Sequence, residues 1–400
     1  MKYVVVLPDG VADVPMEELG GRTPLEVARR PNMDWIAREG IAGLARTIPE
    51  GFKPGSDVGC MSVFGYDPRR YYTGRAPLEA AAQNIPLGPS DVAFRCNTVT
   101  VKDGVLADYS AGHIETDESA QLIKTANERF GKYGLRFHPG VSYRHLAVIS
   151  GVEYAKTQCT PPHDISGKAI EAYLPAGTGS ELLREVMRRS EALLKDHPIN
   201  KQRLQQGKTP ATMFWFWGQG TAAAFPPFRT AYGLRGACIS AVDIVRGLGR
   251  LVGFDIIQVP GITGYFDTNY QGKAEYALKA LADHDFVLVH VEPTDEAGHM
   301  GDAKKKIRAI EDTDRLVVGT LLQGLKRRNE PFAIMVVPDH PTSTALKTHI
   351  DGPVPFAIYA TQGPKDAVGA YAERAVQSSP TRFEQGFELM SFFLKARDGL

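Results

Sequence analysis

Cysteine is scarce in this chain: Cys60, Cys96, Cys159 and Cys238 are scattered over 400 residues with no CxxC pair. That excludes a disulfide framework and a zinc–thiolate site, and it suits a reducing cytoplasm. Long apolar runs are also missing. No stretch approaches the roughly 20 apolar residues a membrane span needs, and the apolar run at the N-terminus meets Asp9 too early for a signal-peptide core. An excess of either charge is missing too. Lys+Arg and Asp+Glu are both 46, so nothing global points to nucleic acid or an anionic membrane as a partner. There is no internal repeat, no low-complexity tract and no GxxxxGK[ST] loop. Gly247-Leu248-Gly249-Arg250-Leu251-Val252-Gly253 imitates a dinucleotide fingerprint, but it sits inside a helical pattern and reads as helix packing. None of these features encodes an oligomeric state.

What is present is enough apolar material, 43% of residues, for more than one core, and the length suggests two or three domains. Short β-branched runs recur: Tyr3 to Leu7, Phe254 to Val259, Phe286 to Val291, Phe332 to Val337 and Val354 to Tyr359. Continuous apolar runs of this kind suit strands buried on both faces, as in a parallel sheet covered by helices. Lys304 to Lys326 carries Ile307, Ile310, Val317, Leu321 and Leu325 at helical spacing. Strand alternating with helix predicts an α/β fold. The middle differs. Strand-like Ala93 to Val101 and Val141 to Ile149 surround helix-like Thr116 to Phe130, and a second helical stretch, Ser180 to Leu194, leads back. Trp215 and Trp217 alternate as in a buried strand. The expectation is a core of residues 1–88 and 200–400, with a smaller α+β domain inserted at 89–199 between Pro/Gly-rich joints.

Open sheets of this kind hold ligands at the carboxyl ends of their strands. Asp9, Asp295 with His299, and Asp339 with His340 fall there, and His349 follows. Carboxylate and imidazole donors suit divalent cations. Asp295 and His299 are four apart, so one helical turn aims both at a single ion. Singly, Asp9 reads as a turn former and His349 as a surface histidine; together they read as a metal site. Ser56, in Lys53-Pro54-Gly55-Ser56-Asp57-Val58-Gly59, admits two readings. It is a helix N-cap, or a nucleophile seated where amides and the helix dipole stabilise a phosphate.

Leu7-Pro8-Asp9-Gly10, Gly55-Ser56-Asp57-Val58-Gly59, Asp295-Glu296-Ala297-Gly298-His299 and Pro338-Asp339-His340-Pro341-Thr342 together resemble the archaeal-type, cofactor-independent phosphoglycerate mutases of the alkaline phosphatase superfamily. The resemblance extends over nearly the whole chain. It includes Asp91-Val92-Ala93-Phe94-Arg95-Cys96-Asn97, Asp108-Tyr109-Ser110-Ala111-Gly112-His113, Tyr143-Arg144-His145 and Thr268-Asn269-Tyr270-Gln271-Gly272-Lys273. It implies an alkaline-phosphatase-like core and two divalent ions, Mn²⁺ first, with Mg²⁺, Zn²⁺ or Co²⁺ compatible, and no bisphosphoglycerate. Asp9, Ser56, Asp339 and His340 would hold one ion; Asp295, His299 and His349 would hold the other. Ser56 would take the phosphoryl group of a small phosphorylated substrate and return it to the other hydroxyl. His113 and Arg144 would join it in catalysis, and Asp91, Arg95, Asn97, His145 and Lys273 would bind substrate, as the inserted domain closes over the core to exclude water.

The Asp57-Val58-Gly59-Cys60-Met61 segment is closer to the longer bacterial mutases, and Ala76 stands where the family usually has Gly or Ser. Two further reactions stay in view: a homoserine-kinase-like phosphotransfer, because relatives that resemble such kinases carry nearly the same motifs, Ala111-Gly112-His113-Ile114 among them, and phosphomonoester hydrolysis, with water in place of the second hydroxyl.

Overall fold

Val4, Val5, Val6 and Leu7 have zero exposure because the strand Lys2–Pro8 lies inside an eight-stranded sheet. In the computed structural model, which describes residues 1–395, the strand order is Arg382–Phe383, Ile41–Ala45, Val354–Ala360, Phe332–Val336, Lys2–Pro8, Phe286–Val291, Gly236–Ile239, Asp255–Ile256. Lys2–Pro8 runs parallel to both neighbours, with Tyr3 opposite Phe286 on one side and Ala333 on the other. The strands beyond Phe286–Val291 are parallel too, whereas Val354–Ala360 is antiparallel to its two partners. The sheet's Val4, Val6, Val287, Val289, Ile334 and Val336 pack with helical Ala274, Ile310, Val317 and Leu321. Each Val, Ile or Leu side chain so buried contributes about 1.5–3 kcal/mol.

Two expected elements come out differently. Phe254 to Val259 keeps only the short edge strand Asp255–Ile256. The Lys304 to Lys326 helix is interrupted by a π-helical segment, Thr313–Val318. There the Asp314 carboxylate accepts from the Asn32 and Met33 N–H groups at the start of the helix Pro31–Arg38.

The contacts group Met1–Tyr72 with Ala224–Leu400 as one unit and Thr73–Ala223 as another. These joints lie outside the expected 88/89 and 199/200. The reason is packing. The helix Arg75–Ala82 sets Ala76 and Ala80 against Ala93, Leu146 and Val148, and Met213–Thr221 pairs with Asp91–Lys102. Both flanks therefore belong to the second unit's sheet. The other face of that sheet, with Val92, Phe94 and Cys96, is covered by Leu122 and Ile123 of the helix Thr116–Phe130 and Leu183 and Val186 of the helix Ser180–Lys195.

All four cysteines are unpaired. Among the described residues, no helix is long and apolar enough to cross a membrane.

Candidate active site

Three parallel neighbours end at the same edge of the large sheet, so their following residues converge. Asp9 comes directly after Pro8, Asp339 and His340 follow Phe332–Val336, and Asp295 and His299 sit on the helix Pro293–Met300 that follows Phe286–Val291. The donor atoms of Asp9, Asp339 and His340 lie within 4.8 Å of one another, as do those of Asp295, His299 and His349. The resemblance implied these groupings, the first of them together with Ser56.

Hydrogen bonds assign the ring tautomers. His299 Nδ1 faces the Lys347 carbonyl and His349 Nδ1 faces the Pro54 carbonyl, each at 3.2 Å. A carbonyl only accepts, so both Nδ1 atoms carry hydrogen. Both Nε2 atoms then present lone pairs, 2.9 Å apart, with Asp295 oxygens 3.2 and 3.4 Å away. The Thr342 hydroxyl donates to Asp295 Oδ1 at 2.5 Å and accepts from His340 Nδ1 at 3.2 Å. That leaves His340 Nε2 bare as well, 3.2 Å from Ser56 Oγ and 3.3 Å from Asp339 Oδ2. Facing lone pairs repel unless a cation or a proton lies between them. The donor set, two carboxylates with imidazole and hydroxyl on one side and a carboxylate with two imidazoles on the other, fits divalent cations.

Ser56 opens the helix Ser56–Val63. Its Oγ lies 3.4 Å from Asp9 Oδ2. Two glycines permit the approach. At Gly59 a Cβ would stand 2.3 Å from the Asp339 carbonyl oxygen, and at Gly10 (φ +56) it would stand 2.3 Å from Thr342 Oγ1. Gly10 N–H and His340 N–H both donate to Asp339 Oδ1, and Cys60 Sγ lies 3.6 Å from Asp339 Oδ2.

Burial dominates the electrostatics of the site. Burial pushes the Asp9 carboxyl well above its usual range, and Asp339, Glu292 and Asp295 push it further. Asp295 goes the other way: burial opposes the shift, but hydrogen bonds from His299 and His349 hold it low. The Asp295 partnership raises His299 to about 9, so a proton occupies this pair when no cation does. Burial lowers His340. Buried carboxylates this close need compensating positive charge.

Sequence reasoning missed His290, Glu292 and Thr342. His290 Nε2 lies 2.8 Å from Asp9 Oδ2 and 3.4 Å from Glu292 Oε2. Its signal was available, since it is the one polar residue in the run Phe286–Val291. Lys273, expected to bind substrate, is fully buried and donates to the His290 carbonyl at 2.8 Å. It lies beneath the ligands rather than among groups open to solvent.

In the second unit, strand alternation sorts the expected substrate residues. Arg95 and Asn97 share a face of Asp91–Lys102, and Arg144 is paired directly opposite Asn97. His145 pairs with Cys96 and so lies on the helix-covered face; burial lowers it to about 3, and its Nδ1 accepts from Gly140 N–H. Asp91 is committed to Ser150, Gly88 N–H and Arg136. Arg95 stacks 4.1 Å above the Trp217 ring and lies 3.0 Å from Glu79, and Trp217 Nε1 donates to Asn97 Oδ1. His163, also missed, sits edge-on to Trp217 at 5.1 Å. His113 is exposed on a loop with three successive positive φ values, Ala111, Gly112 and His113, wrapped on the Asp108 carboxylate.

Residues 37–200 match the family described as 2,3-bisphosphoglycerate-independent phosphoglycerate mutase, and residues 174–378 match type I phosphodiesterase / nucleotide pyrophosphatase. A 2,3-bisphosphoglycerate-independent phosphoglycerate mutase of Methanothrix thermoacetophila is 52% identical over 98% of this chain and 100% of its own. One from Methanosarcina mazei is 49% identical over 99% of this chain and 100% of its own. The solved cofactor-independent phosphoglycerate mutase of Thermoplasma acidophilum superposes with a TM-score of 0.68 at 29% identity, covering 99% of each chain.

Proposed function

Because the chain belongs to the family of 2,3-bisphosphoglycerate-independent phosphoglycerate mutases, we propose that it interconverts 3-phosphoglycerate and 2-phosphoglycerate through a phosphoryl group carried on Ser56. The observation that supports this most is the placement of Ser56 Oγ. It lies against His340 Nε2 and Asp9 Oδ2 at a helix N-terminus, beside two convergent ligand sets.

Asp9, Ser56, Asp339 and His340 would hold one divalent cation and Asp295, His299 and His349 the other; bound there, the pair lowers the pKa of the serine hydroxyl and balances phosphoryl charge. Mn²⁺ is the first choice for such oxygen–imidazole sets. The residues of the chain do the rest. With its pKa lowered in this way, the Ser56 hydroxyl gives up its proton to water, since His340 Nε2 and Asp9 are committed as ligands. Ser56 Oγ attacks the phosphorus and the bond to one glycerate oxygen breaks. That oxygen takes up a proton. The other hydroxyl then loses one, attacks the phosphoserine and frees Ser56. Amides at the start of Ser56–Val63 stabilise the phosphate. Arg95, Arg144 and Asn97, which share a face of the smaller sheet, are assigned to the glycerate carboxylate and hydroxyls, since guanidinium binds carboxylate through two parallel hydrogen bonds. His113 is assigned to proton handling. The substrate is a small phosphorylated acid, and the unpaired cysteines suit a cytoplasmic enzyme.

The test is an enolase-coupled mutase assay on chelator-stripped protein with Mn²⁺ restored and no bisphosphoglycerate, comparing wild type with Ser56→Ala. Interconversion by the wild type alone supports both reaction and intermediate. Activity in both sinks the Ser56 role. Phosphate release without interconversion points to a phosphomonoesterase, and ATP-dependent phosphorylation of homoserine to a kinase.

A further inference from the structure

Four histidines surround Asp9, Asp295 and Asp339, and their hydrogen bonds assign two opposite tautomers. His299, His340 and His349 carry hydrogen on Nδ1 and turn a bare Nε2 inward. His290 is reversed. Its Nδ1 lies 3.1 Å from Ser240 Oγ. That oxygen already accepts the Val242 N–H at 2.9 Å, and its other possible acceptor, the Val242 carbonyl, is at 3.5 Å. The Ser240 hydroxyl therefore donates to Nδ1, and Nε2 keeps the ring hydrogen. This Nε2–H faces Asp9 Oδ2 at 2.8 Å and Glu292 Oε2 at 3.4 Å.

Asp9, His290 and Glu292 also have donor atoms within 4.8 Å of one another, the spacing of a third cation site. Two features oppose that use. A nitrogen that donates hydrogen has no lone pair for a cation. In addition, the fully buried Lys273 ammonium donates to the His290 carbonyl at 2.8 Å, and Glu292 is the strongest favourable charge acting on it. A buried ammonium held on the His290 carbonyl opposes a further cation beside it.

The consequence falls on Asp9. Its carboxylate is fully buried and its two oxygens are unlike: Oδ2 accepts from His290 at 2.8 Å and lies 3.4 Å from Ser56 Oγ, whereas Oδ1, with no hydrogen-bond partner among the described residues, lies 3.7 Å from His340 Nε2. We propose that Ser240 and His290 are positioning residues that tie Asp9 Oδ2, so that Asp9 offers Oδ1 alone to the cation it shares with Asp339 and His340. The proposal rests on the two-cation reading above. Neighbours of this kind fix a ligand's orientation before the ion arrives, and losing one typically lowers metal affinity by about 10- to 100-fold.

The experiment is a Mn²⁺ titration of chelator-stripped, full-length protein, read as free-ion signal and as bound metal per chain. Wild type is expected to bind two ions. His290→Met is expected to weaken one of them by about 10- to 100-fold and leave the other unchanged. His290→Gln, whose amide donates from near the position of Nε2, is expected to restore most of the loss. Ser240→Ala leaves the strand Phe286–Val291 intact, so it is the safer variant should His290→Met not fold; it is expected to weaken the same ion by a smaller factor. Unchanged affinities in Ser240→Ala and His290→Met overturn the proposal, as does equal weakening of both ions, which is what a general loss of structure produces. Three ions in the wild type, falling to two in Glu292→Gln, overturn it in favour of a third cation site. Fewer than two ions in the wild type overturn the two-cation reading itself, a result separable from the rest.

Discussion

His299 and His349 point their Nε2 atoms at each other across 2.9 Å while each Nδ1 is held by a backbone carbonyl. Neither ring can turn its Nδ1–H inward without breaking that bond. Either a cation between the two nitrogens or a proton on His299, which Asp295 raises to about 9, relieves their opposition.

Replacing one member of this pair therefore has a defined outcome. His349→Ala is expected to lose one of two bound cations and to lower kcat/KM by at least about 100-fold, while the Asp9, Asp339 and His340 set keeps its ion. Metal content per chain after dialysis, measured beside activity, checks this. Retention of two ions together with full activity would contradict the ligand assignment.

The pH dependence follows from His299. Its folded value, about 9, is raised by Asp295, so in the cation-free protein it is protonated at neutral pH. A cation must displace that proton. Binding to the Asp295, His299 and His349 set is expected to release close to one proton at pH 7.5 and progressively less as pH passes 9, with affinity rising over the same interval. For stability the sign is opposite. The raised value stabilises the cation-free fold below the ordinary histidine range, and that contribution fades as pH rises through about 9. Calorimetry in two buffers of different ionisation enthalpy counts the protons.

Gly59→Ala tests the close approach of the serine helix. The new Cβ would lie 2.3 Å from the Asp339 carbonyl oxygen, a backbone atom that cannot swing away. The helix must move, at a cost of about 1–3 kcal/mol, and Ser56 moves with it. The expected result is a lower unfolding midpoint and a larger proportional fall in kcat than in metal affinity.

Lys306 and Asp13 form a fully buried ion pair at 2.9 Å, and Lys306 Nζ also donates to the Thr342 carbonyl at 2.6 Å. Lys306→Met leaves Asp13 charged and without its cation, and is expected to destabilise by about 3–5 kcal/mol. Denaturant unfolding measures it. The double variant Lys306→Met, Asp13→Leu is expected to recover part of the loss, because neither member of the pair is then left without the other.

Much of the candidate site was legible because its ligands stand at the ends of apolar runs. Asp9, Asp295 and Asp339 each follow a buried strand, and three parallel strands in register bring such ends together. His290 was not legible in the same way. It lies inside a run, and only the strand order shows that the neighbouring strand delivers Asp9 to its Nε2. In the second unit, Arg144 and His145 are adjacent in sequence, which joined them as substrate residues. A strand sends adjacent side chains to opposite faces, and the helices covering one face took His145 into the core.

The α/β class, the smaller inserted sheet and the ligand types were determined by the sequence alone, because apolar periodicity and donor chemistry are local properties. Tertiary structure decided where the units divide, which imidazole nitrogen carries hydrogen and which Asp9 oxygen His290 holds. Those depend on what the fold sets opposite each group: the Lys347 and Pro54 carbonyls, Thr342 and Ser240 are remote in sequence from most of the groups they control, and hydrogen bonds act only across a few ångströms.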